Sequence, residues 1–397
     1  MCSILGGTVL DEFALQVYKN AKSRGKDFAG LCQNRNGLWI ANHRATPTTE
    51  VNNPNQNQPF GVAFKVVHNG TIQNDKELGA VAGDMDSFVL TTCLDVKDLC
   101  TLADSLSRVN GSYAIAILKD NEILLACNYK PIWLLYKDGE LYFSSLQEHL
   151  GPDAIRMTPY SVMNLNTGQT LAIPRKQSDS AVVICSGGLD STVVATMARN
   201  KHKNVTLLHF QYGCRAETVE TDAIKQIAHR LTCDFDVVEL PYVKMKGNSP
   251  LLDKDSAIAE GVAGSEYAFE WVPARNFLFM AYATAYAEAN GFGHIYLGTN
   301  LEEGGAYPDN EEQFIRDVNS VLWGAVQNGV KIEIHSPLGS MMKRDIVTAG
   351  SLIGAPFELS YSCYHGAEYH CGNCGPCFMR KTAFKRALVD DPTIYKV

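Results

Sequence analysis

Residues 181–194 read AVVICSGGLDSTVV, and no other stretch narrows the fold of this chain so far. Residues 181–185 are an unbroken apolar run, the mark of a short strand buried on both faces. Two glycines follow, and residues 191–202 then carry a helical pattern. The alternation continues with strands at 205–210, 234–240 and 294–298. Helices are expected at 215–231, with charged outer positions, and around 276–290. Strands spaced by helices predict βαβ units and a mainly parallel, doubly wound α/β sheet.

The turn after the first strand is Ser186-Gly187-Gly188-Leu189-Asp190-Ser191. Glycines let a backbone approach a phosphate closely, while hydroxyls and a helix N-terminus add donors. The lysine of GxxxxGK[ST] is missing, which argues against a loop that transfers a γ-phosphate. SGGxDS after a strand resembles the PP-loop of ATP pyrophosphatases, with their adenine nucleotide alpha hydrolase-like fold. That resemblance implies ATP with Mg²⁺ held by Ile184, Cys185, Ser186, Gly187, Gly188, Leu189, Asp190, Ser191 and Thr192. It also implies adenylation of a substrate oxygen with release of pyrophosphate. Cys185 itself reads as a small core residue.

Before residue 175 the pattern is different. Apolar or alternating runs at 37–42, 60–67, 113–118, 122–126 and 141–144 read as strands, some separated by NG, DN or DG turns. The polar stretch 52–58 (NNPNQNQ) reads as a loop. The composition shift at 172–180 places a domain boundary near 175–180, giving domains at 2–175 and 181–397.

Cys2 follows the first Met. With that Met removed, the α-amino group, whose pKa is about 7.7–8.0, stands beside the thiol and can make the thiolate without a histidine. Attack on an amide needs oxyanion donors, which His68-Asn69-Gly70 could aim from an Asn-Gly turn. A glutamine substrate also needs a cation and an anion for its α-groups, and Arg44 and Asp86 are candidates. MCSILG, RGKDFAG, NHRATPTTE, VVHNGTIQN, MDSF and NGSYAIAIL, in that order, resemble a class II glutamine amidotransferase over roughly residues 2–170. The resemblance implies an N-terminal-nucleophile (Ntn) hydrolase with an αββα sandwich and Cys2 as nucleophile. It also implies Asn69 and Gly70 as the oxyanion hole, and Arg44 and Asp86 gripping glutamine. Lys26 stands where that family often has proline, and PTTE after Arg44 is unusual.

Of twelve cysteines, Cys363, Cys371, Cys374 and Cys377 fall within 15 residues. Four soft thiolates prefer zinc or an iron–sulfur cluster, and a closed set of four protein ligands is structural. A helix at 378–388 follows, with Arg380, Lys381, Lys385 and Arg386 expected exposed. SGGLDST, YGCRAE, WVPARNFLFMAYATAYAEANG, LGTNLEEGGAYPDN, SPLGSMMKRDIV and SCYHGAEYHCGNCGPCFMRKTAF together resemble 7-cyano-7-deazaguanine (preQ0) synthase over roughly 181–397. The resemblance implies structural Zn²⁺ on the four cysteines and conversion of 7-carboxy-7-deazaguanine to the nitrile through an amide, using ATP and ammonia. Arg215, Arg275, Asn276, Tyr307 and Asp309 are the candidate substrate residues. The family usually shows YGQRH where this chain has Tyr212-Gly213-Cys214-Arg215-Ala216. It usually shows VPGRN where this chain has Val272-Pro273-Ala274-Arg275-Asn276. Its acidic stretch before YPD appears here as residues 302–307, and Asn310-Glu311 replace a Cys-Arg. These changes are expected near the small-molecule pocket.

An amidotransferase joined to such a domain implies that glutamine supplies the ammonia. Similar fusions are tied to archaeosine, where the nitrile becomes a formamidine on the free base, in tRNA or in DNA. An asparagine synthetase-like ligase lacks the cysteine cluster, and retained site residues speak against an inactive binding module. No apolar run reaches the ~18 residues that cross a bilayer, and no signal peptide is read. The expected setting is cytoplasmic, as a homo-oligomer. The net charge of −8 argues against a broadly basic nucleic-acid clamp.

Overall fold

Period-two alternation sorts side chains between two faces, and the strand Gly111–Lys119 shows it plainly. Its Ala114, Ala116 and Leu118 enter one apolar cluster, while Tyr113, Ile115 and Ile117 enter another. Both faces of that strand are covered. The structure is a computed structural model that describes residues 2–46, 57–81, 85–241, 249–253, 255–261 and 270–396. It divides into two compact units, residues 1–176 with 327–329, and 177–326 with 330–397.

The strands of the first unit are β1 (Ser3–Gly7), β2 (Phe28–Gln33), β3 (Trp39–Arg44), β4 (Lys65–Ile72), β5 (Gly111–Lys119), β6 (Glu122–Cys127), β7 (Trp133–Lys137), β8 (Glu140–Ser144), β9 (Ile155–Arg156), β10 (Ser161–Asn164) and β11 (Thr170–Ala172). They form two antiparallel sheets, ordered β2-β3-β1-β8-β7-β9 and β11-β10-β6-β5-β4. Ile4, Ile40 and Phe143 of the first sheet meet Val67, Ala114 and Leu125 of the second in one cluster, so the sheets pack face to face. Helix α1 (Glu12–Ala21), capped by Asp11 accepting from the Ala14 N–H at 2.8 Å, covers Leu5, Trp39 and Ala41. Helices α2 (Leu90–Cys93) and α3 (Leu99–Leu106) cover the outer face of the second sheet. The layers are helix, sheet, sheet, helix: the expected αββα sandwich. Residues 52–56 of the polar stretch lie outside the described residues.

Two local expectations need correction. The strand expected at 60–67 runs instead from Lys65 to Ile72, so His68-Asn69-Gly70 is not a turn. Asn69 pairs with Ala114 and Gly70 with Tyr113 inside the ladder. An Asn-Gly pair marks a turn only where the chain has no strand partner, and β5 supplies one. Arg380, expected exposed, is 1% exposed. Its guanidinium donates to Ser360 Oγ (2.7 Å), the Phe357 carbonyl (3.0 Å) and Asp391 (3.1 Å). A fully paired guanidinium can be buried on a helix face that sequence alone reads as charged and solvated.

In the second unit β12 (Ala181–Ile184), β13 (Val205–Gln211), β14 (Asp234–Glu239), β15 (His294–Tyr296) and β16 (Glu333–His335) form an all-parallel sheet, ordered β14-β13-β12-β15-β16. The remaining helices are α4 (Leu189–Lys201), α5 (Glu217–Leu231), α6 (Arg275–Asn290), α7 (Leu301–Gly304), α8 (Glu312–Ala325), α9 (Lys343–Leu352) and α10 (Gly375–Ala387). Val183 packs into a core with α4, α5, α9 and α10, and Val182 into one with α6 and α8, so both faces are covered. Strand order reverses direction at β12, where β13 lies on one side and β15 on the other. Open α/β sheets bind ligands beyond the strand C-termini at such a switch point. Among the described residues no helix is long and apolar enough to cross a membrane.

Candidate functional sites

In the first unit Cys2 stands one residue before β1, half-buried, its Sγ 3.9 Å from the Ala45 carbonyl. β1 pairs with β3 in the register Ser3↔His43, which carries Cys2 alongside the buried Arg44. Asn42 Nδ2 reaches across the sandwich to the His68 carbonyl at 3.5 Å, tying the Arg44 strand to the peptide before Asn69. Asn69 is 3% exposed. Gly70 has φ +156°, and a Cβ there would sit 1.8 Å from the Ser112 carbonyl oxygen, so no side chain fits.

Asp86 opens a short 3-10 turn. Its Oδ2 accepts from the Ile72 N–H at 2.6 Å, and its Oδ1 accepts from the Ser87 N–H at 2.6 Å. The carboxylate is thus locked to the end of β4. His68, read in the sequence only as part of the His68-Asn69-Gly70 stretch, completes this arrangement. Its Nε2 lies 3.2 Å from the Ser112 carbonyl, which only accepts, so Nε2 carries the proton and Nδ1 accepts from Ser87 Oγ at 2.8 Å. Burial holds the His68 pKa below its usual range, although Asp86 opposes the shift, and a neutral ring fits both bonds. Residues 47–50 (PTTE) lie outside the described residues.

In the second unit the SGGLDS loop leaves the C-terminal end of β12, and Gly188 caps α4. Gly187 has φ +74°. Ser191 Oγ and Thr192 Oγ1 both donate to the Gly188 carbonyl (3.1 and 2.8 Å), which fixes the turn, while Ser186 stays exposed. Cys185 is buried and packs in the core. Ile184 and Leu189 are likewise buried and shape the loop from below. Asp190 Oδ2 accepts from Lys343 Nζ (2.6 Å) and Asn300 Nδ2 (3.1 Å), and the same ammonium donates to Glu303 Oε1 (2.7 Å). Two carboxylates raise the Lys343 pKa against the opposing pull of burial, so the ammonium stays charged. Asp190 Oδ1 is buried and has no hydrogen-bond partner among the described residues. An orphaned carboxylate oxygen beside a phosphate-type loop fits a Mg²⁺–nucleotide that would occupy it. Lys343 and Asn300 lie in quoted motifs, but only the fold shows that they meet Asp190.

Nearby, Glu270, Trp271, Val272, Arg275, Glu303, Tyr307, Asp309 and Tyr364 line a narrow cleft. Trp271 and Tyr307 are stacked, with ring centroids 6.1 Å apart and planes at 14°. Burial raises the carboxyl pKa values of Glu270 and Asp309. Three of the candidate substrate residues, Arg275, Tyr307 and Asp309, therefore meet here. Asn276 lies behind them, its Nδ2 spent on Asn310 Oδ1 (2.6 Å) and Asp309 Oδ1 (3.3 Å). Arg215 is not among the lining residues, and its guanidinium donates to the carbonyls of Asp253 and Ser256. Cys214 is buried with its thiol 3.7 Å from Glu220 Oε2.

The Sγ atoms of Cys363, Cys371, Cys374 and Cys377 all lie within 4.8 Å of one another, and none forms a disulfide. Zn–S bonds of ~2.3 Å require sulfurs ~3.8 Å apart in a tetrahedron, and Cys371 and Cys377 are 3.9 Å apart. Backbone N–H groups of Cys371 and Cys374 donate to Cys363 Sγ (3.4 Å) and Cys371 Sγ (3.3 Å), a pattern that favours thiolates. The four residues can hold a metal ion.

An Ntn-type sandwich carrying a cysteine at its strand edge, joined to a doubly wound domain with an SGGLDS loop, defines an ATP-dependent glutamine amidotransferase. Residues 180–388 match the family model described as queuosine biosynthesis protein QueC, and residues 43–151 match the glutamine amidotransferase domain. A 7-cyano-7-deazaguanine synthase from Sulfolobus acidocaldarius is 38% identical, over 92% of this chain and 86% of its own. 7-Cyano-7-deazaguanine synthase 2 from Sulfurisphaera tokodaii is 34% identical over the whole of both chains. The Methanothrix thermoacetophila synthase is 39% identical, but over 54% of this chain and 98% of its own. The chain belongs to the QueC family of 7-cyano-7-deazaguanine synthases, in a form with a glutamine amidotransferase domain.

Proposed function

We propose that this enzyme takes ammonia from glutamine and inserts it, at the expense of ATP, at C7 of a 7-deazaguanine, converting 7-carboxy-7-deazaguanine to the amide and then to the nitrile. The observation that carries the reading is the Asp190–Lys343–Glu303 arrangement around an intact SGGLDS loop. A nitrile that merely adds ammonia needs no adenylation, so a loop built and charged in this way serves an acid or amide substrate.

In the first unit the Cys2 α-amine, freed of Met1, takes the thiol proton, and the thiolate attacks the glutamine side-chain amide. The C–N bond breaks, ammonia leaves with the proton that the amine held, and water hydrolyses the glutamyl thioester to glutamate and the free thiol. Asn69 and the backbone at Gly70 stabilise the oxyanion, while Arg44 and Asp86 hold the α-carboxylate and α-ammonium. In the second unit Asp190 would hold the Mg²⁺ that accompanies ATP, an ion that offsets phosphate charge. The substrate carboxylate attacks the α-phosphorus and pyrophosphate leaves. Ammonia then attacks the acyl carbon and AMP leaves, giving the amide. A second adenylation on the amide oxygen, followed by loss of AMP, leaves the nitrile. Trp271 and Tyr307 offer faces to the base, and the carboxylates of Glu270 and Asp309 suit the N–H donors of a guanine edge. Zn²⁺ on the four cysteines would be structural, holding the start of α10.

The test is mass spectrometry of products from protein, amide-¹⁵N glutamine, Mg²⁺ and 7-carboxy-7-deazaguanine, with and without ATP. ATP-dependent appearance of ¹⁵N amide or nitrile is the expected result. ATP-independent addition of ¹⁵N to a preQ0 nitrile, with the acid untouched, would overturn the reading and make the enzyme archaeosine-forming.

A further inference from the structure

A cluster of imidazoles in the second unit takes no part in the chemistry above. Asp179 precedes β12, His202 caps the end of α4 and His294 opens β15. The parallel register Ala181↔His294 sets the first and last of these side by side, and the His294 N–H donates to the Ser180 carbonyl at 3.2 Å. One potential ligand atom from each of the three residues falls within 4.8 Å of the other two. His202 is 2% exposed, whereas the Asp179 side chain is 80% exposed.

We propose that Asp179, His202 and His294 form a second metal site, separate from the cysteine cluster, for a borderline divalent transition ion such as Zn²⁺. Two imidazoles and one carboxylate are a donor set such ions favour, and three protein ligands leave a position for water. Four-coordinate Zn²⁺ with bonds of ~2.0–2.2 Å places neighbouring ligand atoms ~3.3–3.5 Å apart. His202 Nδ1 and Asp179 Oδ1 are already 2.9 Å apart, so a small separation admits the ion once the Nδ1 proton has gone to solvent.

The second layer is also in place. His202 Nε2 lies 2.8 Å from Tyr296 Oη, and His294 Nδ1 lies 2.9 Å from His335 Nε2. Partners of this kind orient ligating imidazoles. The ion would clamp the segment entering β12 to the end of α4 and the start of β15. That end of β12 is opposite the SGGLDS loop, so the role is structural or regulatory rather than catalytic.

The experiment titrates the full-length protein, as purified, with Co²⁺ and follows the visible spectrum. One equivalent bound with d–d bands and without thiolate-to-cobalt charge transfer is the expected result. His294→Ala should abolish that uptake. Asp179→Asn, a change on an exposed side chain that spares the core, should weaken it on the order of tenfold or more, as should Tyr296→Phe. No uptake, uptake only with thiolate charge transfer, or Asp179→Asn binding like the parent would overturn the site and leave a hydrogen-bonded imidazole cluster.

Discussion

At Ala274 a single methyl group works against the local backbone. The residue has φ +52° immediately before α6, and the family usually places glycine there. A left-handed conformation costs an L-residue about 1–2 kcal/mol, part of which glycine gives back in unfolded-chain entropy. Ala274→Gly should therefore stabilise the protein by about 1 kcal/mol, read as a rise in the denaturant midpoint; a fall would show that the methyl group packs usefully. Glu220 is a second single-residue case. Burial pushes its carboxyl up to about 7 from 4.5, against the opposing pull of Arg275. Below about pH 4.5 it is protonated in both folded and unfolded chains, so it adds no pH dependence. Between the two values only the unfolded chain ionises, and stability falls by up to about 3 kcal/mol as pH rises. Above about pH 7 the loss is constant. Glu220→Gln should flatten that part of the stability–pH curve, and an unchanged slope would refute the assignment.

At the scale of elements, the Lys343 ammonium joins the start of α9 to the first turn of α4 and to α7. Lys343→Met leaves two carboxylates facing each other without a cation, a loss of about 3–5 kcal/mol by analogy with broken buried pairs. It should abolish pyrophosphate release whether nitrogen comes from glutamine or from ammonium. Retained release would show the network to be structural only. This network also marks where sequence reading runs out. β12 and α4 were legible because an apolar run followed by two glycines permits little else. The Asp190–Lys343 contact spans 153 positions and depends on strand order, which no local pattern carries. His68-Asn69-Gly70 reads locally as a turn because β5, its partner, begins some forty residues later. Arg380 looked solvated because its acceptors at Phe357, Ser360 and Asp391 are brought together only by folding. Of the cleft, Arg275, Tyr307 and Asp309 could be picked from motifs. Glu270 and Trp271 stand beside Arg275 in sequence and Tyr364 beside Cys363, yet nothing local says that these side chains face one cleft, because only packing brings Tyr364 to the other two.

At the scale of the whole molecule, the proposed function divides the reaction between the two units: one would make ammonia and the other would activate an oxygen for it to displace. If that division holds, the units fail differently. Cys2→Ala deletes the proposed nucleophile while leaving the SGGLDS loop and its charge network untouched. Product formation from glutamine should fall by at least about a thousandfold, the scale of losing a catalytic nucleophile. Product formation from ammonium chloride should persist, because free ammonia bypasses the first unit. Glutaminase and synthase activity measured on the same preparation separates the outcomes. Loss with both nitrogen sources would mean that Cys2 supports the fold or the second site rather than the attack on glutamine. Retained glutamine-dependent product would mean that another group performs that attack, and the thiol at the head of β1 would need a different explanation.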